Sequence, residues 1–354
     1  MPSIIIAYLA HISQWIDGFI SMRAYHSLTV RGQARRLRRL ALAALSAYDL
    51  DVARLRLLTN DFNGIFRIDA RDGQKYVLRV TLPEGGHTGE HVAAEADWLA
   101  ALARDTRLSA PRPAAARDGS LVVEAAAPGV PEPRMVVVFT WAPGKNLAEH
   151  ISPKTISGLG ELMSGLHLHA ASYRPPQGLS LLRFDRVYPF PEPVVLFEPA
   201  FAHLFNPERI AVYRRAEAWA QGAIDRLAAS GEAMRLLHGD LHQWNVLYSR
   251  GALTPVDFED LMWGWPVQDI ATTLYYFMDM DGYPELQSAF QAGYTRQCAW
   301  PERYPGEIDA FIAARALGLA NFILNDPNSE WKNQAAGFIE RTEQRLRRLL
   351  ANAV

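Results

Sequence analysis

The segment Leu236–Ala271, LLHGDLHQWNVLYSRGALTPVDFEDLMWGWPVQDIA, sets three acids and an asparagine inside and beside short apolar runs. Asn245 follows Asp240 by five residues, Asp257 lies twelve beyond Asn245, and Asp269 a further twelve along. Oxygen-bearing side chains in this order can do two kinds of chemistry. One carboxylate can orient a hydroxyl and accept its proton. The remaining oxygens can hold a hard cation such as magnesium, which commonly takes one or two protein carboxylates alongside phosphate and water oxygens. Each residue alone is also what a β-hairpin with acidic turns and a capped helix contains. The weight therefore rests on the ordered set His238-Gly239-Asp240, Asn245 and Pro255-Val256-Asp257-Phe258 with its fixed offsets.

That order and spacing resemble the catalytic and metal-binding loops of protein-kinase-like enzymes, in the form found in the aminoglycoside phosphotransferase and choline kinase family. The resemblance covers about residues 35–325. It implies an ATP- and Mg2+-dependent transfer of the γ-phosphate to a hydroxyl, a reaction that depends on in-line positioning and on neutralising the triphosphate. By this resemblance Asp240 is the catalytic carboxylate, Asn245 and Asp257 supply oxygens to magnesium, and His238 and Asp269 support the loop. For Asp269, at the start of the following helix, a plain N-cap aspartate is an equally physical reading.

The same resemblance extends to the N-terminal part. Arg79, at the end of the strand YVLRV, stands where such kinases carry a lysine for the α- and β-phosphates, and Glu95 on the next helix is its expected partner. A guanidinium binds phosphate oxygens in bidentate fashion, so arginine is competent there without being interchangeable with lysine. In place of a glycine-rich loop stands Thr59-Asn60-Asp61-Phe62-Asn63-Gly64, where Asn60, Asn63 and Gly64 accept the left-handed conformations that turn amides toward phosphates. MVVVFTW followed by Ala142-Pro143-Gly144 resembles the strand and hinge joining the lobes, with backbone groups near Phe139 and Trp141 expected at the adenine edge. His167 and His169 lie two apart in a helical pattern and face different ways, which favours packing or capping over metal ligation.

The elements that must position these residues make an α+β, bilobal, protein-kinase-like fold: an N-terminal extension over 1–30 with no role assigned, an N-lobe with a small antiparallel sheet over 31–142, and a mainly helical C-lobe over 143–354. An amphipathic helix is predicted over 32–48, with Leu37, Leu40, Leu42 and Leu45 on its apolar stripe and arginines on a solvated face. Strands follow over 55–58, 64–70 and 75–80, the last two joined at Asp72-Gly73, then a helix over 91–102 and strands over 120–124 and 135–140. Helices are predicted over 156–171, 207–230, 269–280, 308–324 and 331–350. The proline-rich stretch PFPEPVVLFEP is read as an ordered excursion that keeps Phe190, Val194, Leu196 and Phe197 for packing.

Composition narrows the partners. With 354 residues, 49% hydrophobic and 21% charged, the chain has the make-up of a folded protein of two lobes or domains. A net charge of −2 gives no global attraction to phosphate backbones, so nucleic acid is not an implied partner. The single cysteine, Cys298, precludes an intramolecular disulfide, a zinc cluster or a redox pair, and fits a cytoplasmic setting. The apolar start, Ile4–Ala10, lacks the basic flank of a signal peptide and is too short to span a membrane, so no membrane partner is expected; residues 1–21, ahead of Met22, read as a docked helix or an over-long start.

Eleven residues separate Asp257 from Asp269, and the HGD triplet lacks the arginine that reads a phosphorylated activation segment. A small-molecule hydroxyl acceptor is therefore expected: an aminoglycoside, amino alcohol, sugar or hydroxy amino acid. Trp244, with Tyr275, Tyr276, Asp279 and Asp281 in the helix after the metal loop, suits a cationic amino alcohol, although a packed aromatic helix explains the tyrosines equally. The alternatives are a serine/threonine protein kinase of the bacterial stress-response type and a nucleotide-binding protein without turnover.

Overall fold

A computed structural model describes residues 24–60, 63–81, 88–326 and 329–352. The expectations for residues 1–21 and for Asp61 and Phe62 lie outside the described residues. The chain packs as two compact units, Met1–Leu82 with Ala115–Val137, and Pro83–Ala114 with Val138–Val354.

The first unit opens with helix α1 (Val30–Leu45), whose Thr29 cap accepts a hydrogen bond from the Gly32 amide. Its buried stripe is Leu37, Leu40, Ala41, Ala44 and Leu45, while Leu42 is 43% exposed. Leu42 had been expected on the stripe, but two residues from Leu40 is about 200° around a helix, and small alanines at 41 and 44 take the inward places. Strands β1 (Val52–Asn60), β2 (Asn63–Ala70), β3 (Lys75–Thr81), β4 (Val123–Ala125) and β5 (Arg134–Thr140) form a sheet in the order β1-β2-β3-β5-β4. The β2–β3 turn is closed by Gly73 at φ 85° and by the Asp72 carboxylate, which accepts from the Gln74 amide at 2.9 Å.

Helix α2 (Gly89–Asp105) belongs to the second unit, so packing divides the chain differently from the expected 31–142 and 143–354. The cause is its buried face. His91 Nε2 meets the Glu259 carbonyl at 2.6 Å, and the Trp98 indole donates to His169 Nδ1 at 3.0 Å while its ring lies edge-on to Phe258 at 5.6 Å. The remaining helices are α3 (Pro153–Ser172), α4 (Pro207–Ala229), α5 (Pro266–Tyr275), α6 (Tyr283–Tyr294), α7 (Glu307–Asn325) and α8 (Ser329–Asn352). Helices α3 and α6 touch backbone to backbone: a Cβ on Gly160 would lie 2.1 Å from the Phe290 carbonyl oxygen, and one on Gly293 1.8 Å from that of Ser157.

Helix α5 stops at Tyr275 rather than at Met280, so Tyr276 and Asp279 occupy the turns before α6, an element the hydrophobic pattern did not announce. In the proline-rich excursion Val195 and Leu196 are buried and Val194 is exposed, reversing the choice of valine, because the Val195 amide is held by Asn321 Oδ1 at 2.8 Å. Two small sheets carry the informative segment. Strands β6 (Lys145–Asn146), β9 (Val246–Ser249) and β10 (Ala252–Pro255) form one in the order β10-β9-β6; β7 (Leu182–Arg183), β8 (Arg235–Leu237) and β11 (Met262–Gly264) form the other in the order β7-β11-β8. Among the described residues no helix is long and apolar enough to cross a membrane.

Candidate active site

Two loops meet at the site. One runs from β8 to β9 and carries His238, Asp240 and Asn245; the other runs from β10 to β11 and carries Asp257 and Asp260. Antiparallel pairing of β8 with β11 joins them at one end, and the Val256 amide, donating to the Asn245 carbonyl at 2.8 Å, joins them at the other. At their closest approach stands Gly239, with φ 81°, where an added Cβ would lie 2.2 Å from the Asp260 carbonyl oxygen. Only glycine satisfies both conditions. Asp257 is itself left-handed at φ 64°, a conformation that costs a non-glycine residue on the order of 1–3 kcal/mol and gathers at functional sites.

His238 ties the loops from within. Its fully buried ring donates through Nε2 to the Val256 carbonyl at 3.1 Å and accepts the Asp240 amide at Nδ1, 3.4 Å away, which defines a neutral tautomer. Burial pushes its pKa down in the same sense.

The Asp240 carboxylate is held from three sides. Oδ2 accepts from Asn245 Nδ2 at 3.2 Å and faces His242 Nε2 at 3.3 Å; Oδ1 accepts from Arg315 Nη2, which reaches it from α7. The same Arg315 nitrogen donates to the Tyr276 hydroxyl at 2.7 Å, and the guanidinium lies 5.5 Å from the centre of that ring. Burial raises the Asp240 carboxyl, but the Arg315 charge, with His242 and His238, outweighs it and holds the group below the ordinary carboxylate value. Asp260 moves oppositely: burial and the negative charge of Asp240 raise its carboxyl well above that value. Beside Asp240 the rings of His242 and Tyr276 are 4.4 Å apart and those of Trp244 and Tyr276 5.8 Å apart, with Trp244 52% exposed.

Asp269 sits buried in the first turn of α5 without capping it; the cap position is Trp265, whose amide donates to Gln268 Oε1 at 2.8 Å. The Asp269 oxygens instead accept from the His238 and Gly239 amides, each at 3.1 Å, and from His167 Nε2 at 3.1 Å. His167 Nδ1 in turn takes the Tyr294 hydroxyl at 2.9 Å. From the next turn of α5, Thr273 donates to the Leu241 carbonyl. The helix thus grips the loop between β8 and β9 at three backbone groups.

The second unit therefore brings together His238, Asp240, Asn245, Asp257 and Asp269. Glu95 is buried on α2 in the same unit, and Phe139 is the last but one residue of β5 there, where the Thr140 amide pairs with the Arg112 carbonyl at 2.8 Å just before Trp141. Asn60, Asn63, Gly64 and Arg79 belong to the first unit, on β1, β2 and β3, with Asn60 and Gly64 paired in register. Sequence reasoning missed Arg315, His242 and Tyr276 as neighbours of Asp240, and the role of His167 under Asp269. His242 was within reach, since it stands two residues from Asp240 with an imidazole able to hydrogen-bond a carboxylate. Arg315 lies 75 positions away and had no local signal.

A family model described as the phosphotransferase enzyme family matches residues 52–307. Amicoumacin kinase of Bacillus subtilis (strain 168) is 27% identical over 315 residues, covering 83% of this chain and 88% of that protein. Among solved structures, a microcompartment-associated aminopropanol kinase superposes with a TM-score of 0.72 at 23% identity, over 89% of this chain and 98% of that one. An amicoumacin kinase in complex with AMP-PNP, Ca2+ and Ami gives 0.68 at 17% identity, over 89% and 96%. At these identities the structural likenesses speak to the fold.

Proposed function

Because the chain belongs to the phosphotransferase enzyme family, with its α+β, protein-kinase-like fold, we propose that it is an ATP- and magnesium-dependent kinase that moves the γ-phosphate to a hydroxyl of a small polar molecule. One observation carries this reading: an ionised Asp240, fixed by Asn245 and by the loop that Asp269 grips, stands next to Asn245, whose backbone is tied by hydrogen bond to Val256, the residue before Asp257. A cytoplasmic setting, where ATP is supplied, belongs to the same reading.

The residues fit a magnesium ion. Asn245 spends its amide nitrogen on Asp240, which leaves Oδ1 as its ligating atom, and the Val256–Asn245 backbone hydrogen bond ties the loop at Asn245 to the residue before the exposed Asp257. Bound magnesium supplies charge neutralisation to the phosphates. Asp240 accepts a hydrogen bond from the acceptor hydroxyl, aims its oxygen in line, and takes its proton as the new oxygen–phosphorus bond forms and ADP leaves. Arg79 with Glu95, and the amides around Asn60, Asn63 and Gly64, are assigned to the phosphates, and backbone groups near Phe139 and Trp141 to the adenine. Asp257→Ala is expected to raise the magnesium concentration at half-saturation of nucleotide binding by about tenfold or more, since one of two protein ligands is lost; superimposable magnesium titrations for wild type and variant would remove Asp257 from the site.

A small acceptor is favoured by what fills the interval after Asp257. Phe258 and Leu261 form a tight turn, Met262–Gly264 is the central strand of a sheet, and Trp265 caps α5, so no length remains for a peptide platform. The test is ADP release with magnesium-ATP over amino alcohols, aminoglycosides, sugars and hydroxy amino acids, run beside radiolabel transfer to generic proteins. Turnover with a member of the small-molecule panel, lost in Asp240→Asn, is the expected result. Protein labelling without a small-molecule response would favour a serine/threonine kinase, and stabilisation by magnesium-ATP with no turnover on either would mark a binding protein.

A further inference from the structure

Arg315 comes from α7, beyond residue 307 where the family match ends, yet it touches the carboxylate on which the proposed reaction turns. Its placement is rigid. The α7 residues around it, Ile312, Ala313, Ala314 and Ala316, are buried, and its own side chain is 13% exposed. One nitrogen, Nη2, bridges Asp240 Oδ1 and the Tyr276 hydroxyl, and the guanidinium lies over the Tyr276 ring, so its plane is set by two partners at once.

A carboxylate offers about four lone-pair positions. At Asp240, Asn245 and His242 occupy Oδ2, and Arg315 occupies one position of Oδ1. We propose that Arg315 is the positioning residue of the catalytic carboxylate: it fixes the rotation of Asp240 so that the remaining lone pair of Oδ1 is the one that receives the acceptor hydroxyl. This rests on the role given to Asp240 above. Arg315 acts through Asp240, and Tyr276 in turn steadies Arg315.

The test compares Arg315→Ala, Arg315→Lys, Asp240→Asn and the double variant Asp240→Asn/Arg315→Ala, with steady-state kinetics, magnesium-ATP binding and thermal unfolding for each. Arg315→Ala should lose about 10- to 100-fold in kcat, the scale of a misaligned catalytic group, with KM for ATP within about twofold of wild type. Millimolar guanidinium should restore part of that kcat, a response that repair of a merely loosened fold would not give. The double variant should be no slower than Asp240→Asn, because two groups acting as a unit are not additive. Should Arg315→Ala fail to fold, Arg315→Lys decides: its point charge cannot reproduce the bridging geometry, so a folded lysine variant with reduced kcat supports the inference and one with full kcat overturns it. Full kcat in Arg315→Ala, or a loss that guanidinium does not relieve and that adds to Asp240→Asn, overturns it too. If Asp240→Asn itself keeps turnover, the role of Asp240 falls and this inference with it; a dead Asp240→Asn beside a fully active Arg315→Ala sinks this inference alone.

Discussion

Asp240→Asn is expected to cut kcat by at least about a hundredfold, the lower end of what a general base contributes, while the dissociation constant for magnesium-ATP stays within about twofold. The amide keeps the shape of the carboxylate but only one acceptor oxygen, so either Asn245, which donates to Oδ2, or Arg315, which donates to Oδ1, faces an NH2 group instead. What it loses is the charge that makes the oxygen a proton acceptor and the counter-charge to Arg315. The second loss has its own consequence. Asp240 and Arg315 side chains are only 20% and 13% exposed, and removing one partner of a poorly hydrated pair leaves the other charge uncompensated, so a fall of a few degrees in Tm should accompany the loss of turnover. Measuring both separates the two effects: turnover that is lost while magnesium-ATP binding and a cooperative unfolding transition remain assigns the defect to chemistry. Retained turnover would remove Asp240 from the mechanism.

Asp269→Ala should be the most destabilising single change at the site, costing about 3–5 kcal/mol, the range for breaking a buried ion pair from one side. The substitution strands the His238 and Gly239 amides and His167 Nε2, all three inside the protein. Activity should fall with stability, because those amides fix the loop that carries Asp240. Wild type should also respond to acid in a way the variant does not. Burial raises the Asp269 carboxyl, but hydrogen bonding and charge from His167, with His238, outweigh burial and place it below its ordinary value of 3.8. A carboxyl depressed on folding contributes stability above its unfolded pKa and loses it as pH falls through the folded one. The Asp269 contribution is therefore present near neutrality and lost below 3.8, and chemical denaturation at a series of pH values should show the gap between wild type and Asp269→Ala closing in that acid range. A gap that stays constant with pH, or an Asp269→Ala protein as stable as wild type, would contradict this.

The difference between these two residues is instructive about what a chain discloses. Asp240, Asn245 and Asp257 stand within eighteen residues, between strands short enough that their offsets in sequence nearly dictate their offsets in space. Spacing was therefore informative. Asp269 could be read as a cap or as a support, and hydrogen bonds made 30 and 31 positions upstream decided between them. His167, read as a packing or capping residue, proved to hold Asp269 from 102 positions away. Its two-residue spacing from His169 placed the rings on different faces, as expected, but said nothing about which partner each face would meet.

The amino-acid sequence by itself determined the local features: the strands of the sheet, most helices, the turn at Asp72-Gly73, and the loop that carries Asp240 and Asn245. These follow from backbone preference and hydrophobic period, which act between residues a few positions apart. Only the tertiary structure decided that α2 packs with the helical unit, that Val195 rather than Val194 turns inward, and that an arginine from α7 reaches the Asp240 carboxylate. Each of those outcomes depends on which buried surfaces and charges meet across long stretches of chain, and a contact that closes a loop of 75 residues leaves no periodic trace in the sequence on either side of it.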